Sequence, residues 1–252
     1  MSHLRLSLFA GFDATLDGQP ITAFGTDKAR ALLAYLAVAA PRAQRRSDLA
    51  ALLWPEATDA QAAHNLSQTL LRLRRALGEA HAGAPSPAQP FLRISGQQIQ
   101  FNPDSDYSLD VADFKALLQA QARHHATPAE DCAACIGWLE QASAYYRGDF
   151  LAGFALRSSL PFEEWQTMEQ ETLHIQALGA LTRIVTFYER RGRPDLVCSY
   201  ARRLLALEPW HEQAQFQLMT ALAACGQETA ALEQFAAYRR LLQQEFGMAP
   251  AT

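Results

Sequence analysis

Residues 63–79 read AHNLSQTLLRLRRALGE, and the reading of this stretch decides the fold. Leu66, Leu70, Leu73 and Leu77 recur at spacings of four, three and four, which brings them onto one side of an α-helix as a stripe for burial. Asn65, Gln68, Leu71, Arg72 and Arg75 then project on the other side. Residues 60–78 contain no acid, and the segment carries three arginines. Such a face can set guanidinium forks on phosphate oxygens or guanine edges, and amides on adenine, in a groove wide enough to admit one helix. Taken alone, a helix with this face is more often simply solvated, because surface arginine is common. Its neighbours in the chain reverse that balance.

Immediately upstream, Ser47 reads as the N-cap of a short helix over 48–54 that Pro55 stops, and the polar run 56–59 connects it to the long helix. Before that, KARALLAYLAVA (28–39) has leucines at helical spacing and ends ahead of Pro41. At the start of the chain Leu4, Leu6 and Leu8 alternate with polar residues. Asp17-Gly18 is a hairpin dipeptide and residues 20–22 the returning strand, together predicting a small antiparallel sheet. Downstream, beyond the Pro/Ala-rich stretch 82–90, FLRISGQQIQF (91–101) predicts a hairpin turning at Ser95-Gly96. Strands, three helices with a tight connection between the last two, and a closing hairpin are the order of a winged helix-turn-helix. The alternative is an α+β domain of unspecified type.

From Leu109 onward the chain predicts helices to its end, over 111–125, 129–146, 161–191, 194–207, 211–225 and 228–246. Gly192 and Gly226 lie 34 residues apart, and so do Tyr188 and Leu222, the period of tetratricopeptide helix pairs. An irregular helical bundle is the other reading of that half. Two domains follow, 1–103 and 104–252, and 252 residues with 49% hydrophobic content suffice for two cores.

Formal charge is −4 overall but uneven: residues 1–106 hold ten Lys and Arg against nine Asp and Glu, whereas 107–252 hold twelve against seventeen. A nucleic-acid partner therefore belongs to the N-terminal half. The apolar start MSHLRLSLFAGF is bracketed by Arg5 and Asp13 and is too short for a membrane span or a secretory leader, so the chain is expected to be cytoplasmic and free of membrane. Glu163-Glu164, His124-His125 and Glu169/Glu171 fall in no catalytic frame, and no Gly-rich loop ends in Lys-Ser/Thr, so no enzyme and no bound nucleotide are expected. Cys198 and Cys225 fit apolar helical patterns. Cys132-Ala-Ala-Cys135 has the spacing that lets two thiolates grip one zinc ion, and His124 and His125 could complete the set; ordinary core packing is the competing reading. No cofactor is otherwise expected; a structural zinc is the one these residues could hold, and a reversible disulfide between Cys132 and Cys135 is a further reading.

The runs SDLAALLWP, NLSQTLLRLRRALG, YSLDVADFKALL, YYRGDFLAGF and YERRGRPDLVCSYARRLLALEPWHEQAQFQLM together resemble the bacterial transcriptional activator domain family. In that family an OmpR-like winged helix is joined to a tetratricopeptide-like domain, as in the SARP-type antibiotic regulators. The resemblance covers nearly the whole chain. It implies an α+β winged helix-turn-helix followed by an all-α repeat domain, binding to double-stranded promoter DNA, and recruitment of RNA polymerase. It places Asn65, Gln68, Leu71, Arg72 and Arg75 on the recognition helix, and residues Trp54 to Asp59 on the loop that faces polymerase. Supporting contacts are expected from Ser47, Arg45 and Arg46 to phosphate, and from Arg93, Gln97 and Gln98 in the hairpin. Dimers on direct repeats and further domains beyond Thr252 are in keeping with the family. The alternative function is a protein-binding scaffold built on the repeats, with no DNA contact; it requires the Asn65–Arg75 face to be covered.

Overall fold

The structure is a computed structural model and describes residues 2–79, 89–124 and 132–247. His125 and the Pro/Ala stretch thus lie outside the described residues, apart from 89 and 90 of the latter. Contacts divide the chain into two compact units, one of residues up to Asp113 together with Arg147–Leu173, the other of Phe114–Tyr146 with the residues from His174 on. This differs from a single cut after residue 103, because segments far along the chain pair with the N-terminal sheet.

In the first unit, β1 (Leu4–Ser7) pairs antiparallel with β2 (Asp13–Leu16), which pairs with β3 (Gln19–Pro20). Asp17 and Gly18 both take positive φ, +51° and +79°, the conformation a two-residue hairpin turn requires. On the opposite edge of β1 lies β7 (Tyr107–Leu109), running parallel, so the sheet is mixed and not purely antiparallel as the local pattern suggested. Asp110, next in the chain, is buried and its carboxylate accepts the backbone N–H groups of Leu8 (2.9 Å), Phe9 (3.1 Å) and Val111 (2.8 Å). That long-range pairing has no period in sequence, which is why only the contiguous strands were legible.

The helices of this unit are α1 (Asp27–Ala39), α2 (Arg46–Leu53) and α3 (Asp59–Ala76), and the closing strands are β4 (Gln44–Arg45), β5 (Leu92–Ser95) and β6 (Gln98–Phe101), in the order β4-β6-β5. Leu32, Leu33 and Leu36 of α1, Leu49 and Leu53 of α2, and Leu66 and Leu73 of α3 are all buried, as are Ile99 and Phe101 of the hairpin. The segment 147–173 joins them: Leu151 N–H donates to Leu8 O at 2.7 Å, and the Trp165 ring meets Tyr35 edge-on at 4.9 Å.

The second unit is helical. Its elements are α4 (Asp110–His124), α5 (Ala133–Tyr145), α6 (Leu160–Arg190), α7 (Pro194–Leu207), α8 (Glu212–Ala224) and α9 (Glu228–Phe246), the starts of α4 (110–113) and α6 (160–173) being counted with the first unit. The 34-residue period is visible in the backbone. Gly192 N–H bonds Glu189 O and Arg193 N–H bonds Tyr188 O; 34 residues on, Gly226 N–H bonds Ala223 O and Gln227 N–H bonds Leu222 O. Both glycines are left-handed (φ +61° and +73°), so each closes a helix by the same six-to-one bond and the next helix starts two residues later. Around the two closures, Val185, Val197, Ala201, Leu204, Leu218 and Leu222 fill one core. Cys198 is buried there as expected, but Cys225 caps α8 and is exposed, because it falls one residue past the helix whose stripe it was assigned to.

A second cluster links α5 to the repeats through one carboxylate. Glu140 Oε1 accepts the hydroxyl of Tyr188 at 2.7 Å and of Tyr200 at 2.8 Å, and the two rings stack at 5.9 Å. Burial, reinforced by the Glu140 carboxylate, pushes the Tyr188 phenol up to about 12, and the same causes raise Tyr200. An unfolded tyrosine ionises at about 10. A folded value raised in this way contributes stability that is complete below the unfolded value and is lost as pH climbs through the folded one. Urea midpoints should therefore fall between about pH 10 and about pH 12, and a Tyr188→Phe, Tyr200→Phe double variant should show a shallower fall. Equal slopes in variant and wild type would contradict this.

Candidate nucleic-acid interface

The long helix α3 is fixed at both ends by local chemistry. At its start Thr58 and Gln61 form a capping box, Thr58 Oγ1 accepting Gln61 N–H and Gln61 Oε1 accepting Thr58 N–H, each at 3.4 Å. At its end Gly78 is left-handed at φ +74°, and Glu79 N–H bonds Arg74 O at 2.7 Å. Leu66, Leu70, Leu73 and Leu77 are buried at 0 to 4% exposure, as their spacing predicted. On the opposite side Gln68, Arg72 and Arg75 are exposed, Leu71 is 38% exposed, and Asn65 is half-buried.

This outer face borders a depression of about 480 Å³. Asn65, Gln68 and Arg72 line it from α3, and so does His64. Its far wall is Thr26 and Lys28 of the α1 start with Trp54. Lys28 is not a free cation there: its ammonium donates to Leu53 O at 2.6 Å and lies 4.8 Å over the Trp54 ring, and burial lowers its pKa. It serves the carbonyl of Leu53, the last residue of α2, and holds Trp54 in place. His64 could have been found from sequence, since it precedes Gln68 by four residues and Leu71 by seven, on the same face. Lys28 and Trp54 could not, because they reach the face only through the packing of α1 and α2 on α3.

The supporting residues are placed unevenly. Arg45 is exposed and is itself the N-cap residue of α2, with no side-chain cap bond. Ser47 is therefore not the N-cap: the helix starts at Arg46, and the Ser47 hydroxyl donates to Asp48 Oδ1 at 3.0 Å. The cause is β4, whose pairing with β6 holds residues 44 and 45 extended and starts the helix directly after them. Arg46 reaches across to α3, donating from Nη2 to Ser67 Oγ at 3.0 Å, and its backbone N–H bonds Gln97 O at 2.8 Å. Gln97 and Gln98 are exposed on the hairpin, while Arg93 is paired with Asp104 at 2.6 Å. Arg74, excluded from the outer face by its spacing, instead pairs at 3.5 Å with Glu79.

Glu79 ties the end of α3 to the hairpin. Its side chain is 1% exposed, and Oε1 accepts the backbone N–H of Phe91 at 2.5 Å and of Leu92 at 3.2 Å. Burial raises its pKa against the opposing pull of those N–H groups and Arg74. The result is a helix and a hairpin held in one frame, with an amide- and arginine-bearing face exposed between a capped start and a glycine-closed end. Such a face can donate to bases and phosphates. His124, Cys132 and Cys135, the metal-ligating candidates that are described, also come together, in the other unit, with their ligand atoms within 4.8 Å of one another.

Residues 109–252 match the family model of the bacterial transcriptional activator domain. The chain is 26% identical over 229 residues to the transcriptional regulatory protein MoaR1 of Mycobacterium tuberculosis, covering 90% of this chain and 69% of that one. It is 29% identical over 205 residues to the regulatory protein DnrI of Streptomyces peucetius, covering 79% and 70%. The regulatory protein AfsR of Streptomyces coelicolor is 26% identical over 98% of this chain but only 23% of its own length. Among solved structures, Mycobacterium tuberculosis EmbR in complex with a low-affinity phosphopeptide shares the fold at a TM-score of 0.67 and 23% identity, over all of this chain and 62% of that one.

Truncating Glu79 to Ala should cost about 2–4 kcal/mol in urea unfolding, since it leaves two backbone N–H groups and a partly buried guanidinium without their acceptor. Glu79→Gln keeps an acceptor oxygen and should cost roughly half as much or less. Equal and negligible losses in both would show that the carboxylate does not hold the hairpin.

Proposed function

The chain belongs to the bacterial transcriptional activator domain family, and on that footing we propose that it is a sequence-specific DNA-binding activator of transcription. In this reading α3 enters the major groove of double-stranded DNA. Gln68 and Asn65 offer amides to adenine, Arg72 and Arg75 offer guanidinium groups to guanine or phosphate, and Leu71 gives apolar contact to a thymine methyl. Arg45 and the exposed Gln97 and Gln98 of the hairpin bear on the flanking backbone. Residues Trp54 to Asp59, with Pro55 and Glu56 exposed, are the surface offered to RNA polymerase in the cytoplasm. The observation that carries the reading is the exposure of Gln68, Arg72 and Arg75, a face that a scaffold without DNA would have had reason to cover. No described helix is long and apolar enough to cross a membrane.

Two features favour specific over merely electrostatic binding. The face mixes amides with arginines, and only two of its positions carry full charge, so bases must supply part of the affinity. Selection of bound sequences from random duplex DNA at low salt should return a defined motif. An Arg72→Ala, Arg75→Ala double variant should keep its thermal transition and lose about 2 kcal/mol or more of affinity, with a flatter dependence on salt. No enriched motif, or unchanged affinity and salt slope in the double variant, would refute the assignment.

A further inference from the structure

Away from the α3 face, three soft ligand atoms meet at the joint between α4 and α5. His124 is the last residue of α4, Cys132 caps α5, and Cys135 lies in its first turn. His124 Nδ1 is 3.7 Å from Cys132 Sγ and 3.5 Å from Cys135 Sγ. Zinc held tetrahedrally, at about 2.3 Å from sulfur and about 2.0–2.1 Å from nitrogen, keeps a sulfur and a nitrogen about 3.6 Å apart. Hydrogen bonding does not account for the arrangement equally well. Nδ1 has one proton or one lone pair in the ring plane, so it can serve one thiol, whereas a cation among the three atoms serves all of them.

The surroundings suit such an ion. Cys132 Sγ accepts the backbone N–H of Cys135 at 3.4 Å, and the start of a helix favours thiolate over thiol. The His124 ring is oriented by Trp138, edge to face at 5.2 Å and 80°. Buried Gln121 lies beside Cys135, which is itself out of contact with water, and accepts from Arg183 Nη1 at 2.5 Å. Partners of this kind orient ligands and balance their charge in metal sites. His124 is exposed and Cys132 half-buried, so a fourth position faces solvent.

We propose that His124, Cys132 and Cys135 form a zinc site, three protein ligands and a water, that clamps the end of α4 to the start of α5. The clamp makes the geometry of that joint depend on metal.

The test uses the full 252-residue chain without a histidine tag, reduced, with cobalt(II) as the probe. One equivalent should bind with the intense near-ultraviolet thiolate-to-cobalt band and the visible bands of a tetrahedral site, and zinc should displace it. Cys132→Ser and Cys135→Ser should abolish the thiolate band. His124→Gln, at an exposed position, should weaken binding by about tenfold or more with unchanged far-ultraviolet circular dichroism. Cys198→Ser and Cys225→Ser should change neither. A chain that takes up no cobalt, a band that survives both cysteine substitutions, or an affinity indifferent to His124→Gln would overturn the proposal.

Discussion

A helix can present a face only if the rest of it is held, and in this protein the holding converges on the buried carboxylate of Glu79. One oxygen takes two backbone N–H groups from the start of β5, and the other lies against Arg74 one turn back in α3. Without an acceptor those N–H groups would be stranded in a site that excludes water, at a cost of about 1–3 kcal/mol each. The constraint fixes the distance from the end of α3 to the hairpin. It also engages half-buried Arg74, while Arg72 and Arg75, three residues apart, remain as the cations of the outer face. At the other edge of the same frame, Arg46 joins α2 to Ser67 by its side chain and to Gln97 by its backbone, so α2, α3 and the hairpin are mutually braced.

Bracing of a different kind holds the helical unit. There the same closure recurs after 34 residues, a left-handed glycine followed by a six-to-one backbone bond, and it sets successive helices on one core. Stacked units of this type depend on contact with their neighbours, since no single helix pair can bury its apolar face alone. Glu140 adds a polar tie, engaging a tyrosine of α6 and one of α7 from α5, so that the helices preceding the repeat are joined to it by directional bonds as well as by the packing of Ile136 and Leu139.

What was legible in sequence was what repeats at short range. The stripe of leucines in α3, the Ser95-Gly96 hairpin and the bounds of α7 and α9 follow from periodicity and breaker residues, and the structure has them as read. What escaped depends on pairing across long separations. The parallel strand β7 meets β1 more than a hundred residues away, and residues 147–173 belong with a sheet formed by the first residues of the chain. The same reason explains the misplaced cap at Ser47: an N-cap preference is local, whereas β4 is fixed by a partner strand over fifty residues on. Of the exposed face, the positions carried by α3 were legible from their spacing, whereas Lys28 and Trp54 come beside it only through the packing of α1 and α2.

A formal balance of ten basic and nine acidic groups in residues 1–106 gives little attraction for a polyanion at a distance. The distribution of partners changes the picture close up. Asp27 is paired with Arg30, Asp104 with Arg93 and Glu79 with Arg74, while Asp48 accepts from Ser47. Those acids are neutralised or engaged where they stand. Arg72 and Arg75 enter no ion pair among the described residues, and α3 carries no acid after Asp59. Within a Debye length of about 8 Å at physiological salt, an approaching phosphate is governed by the nearest unpaired groups and not by the sum over the domain. The face is therefore locally cationic on a nearly neutral body, an arrangement that gives a polyanion little pull at a distance and a stronger one at contact.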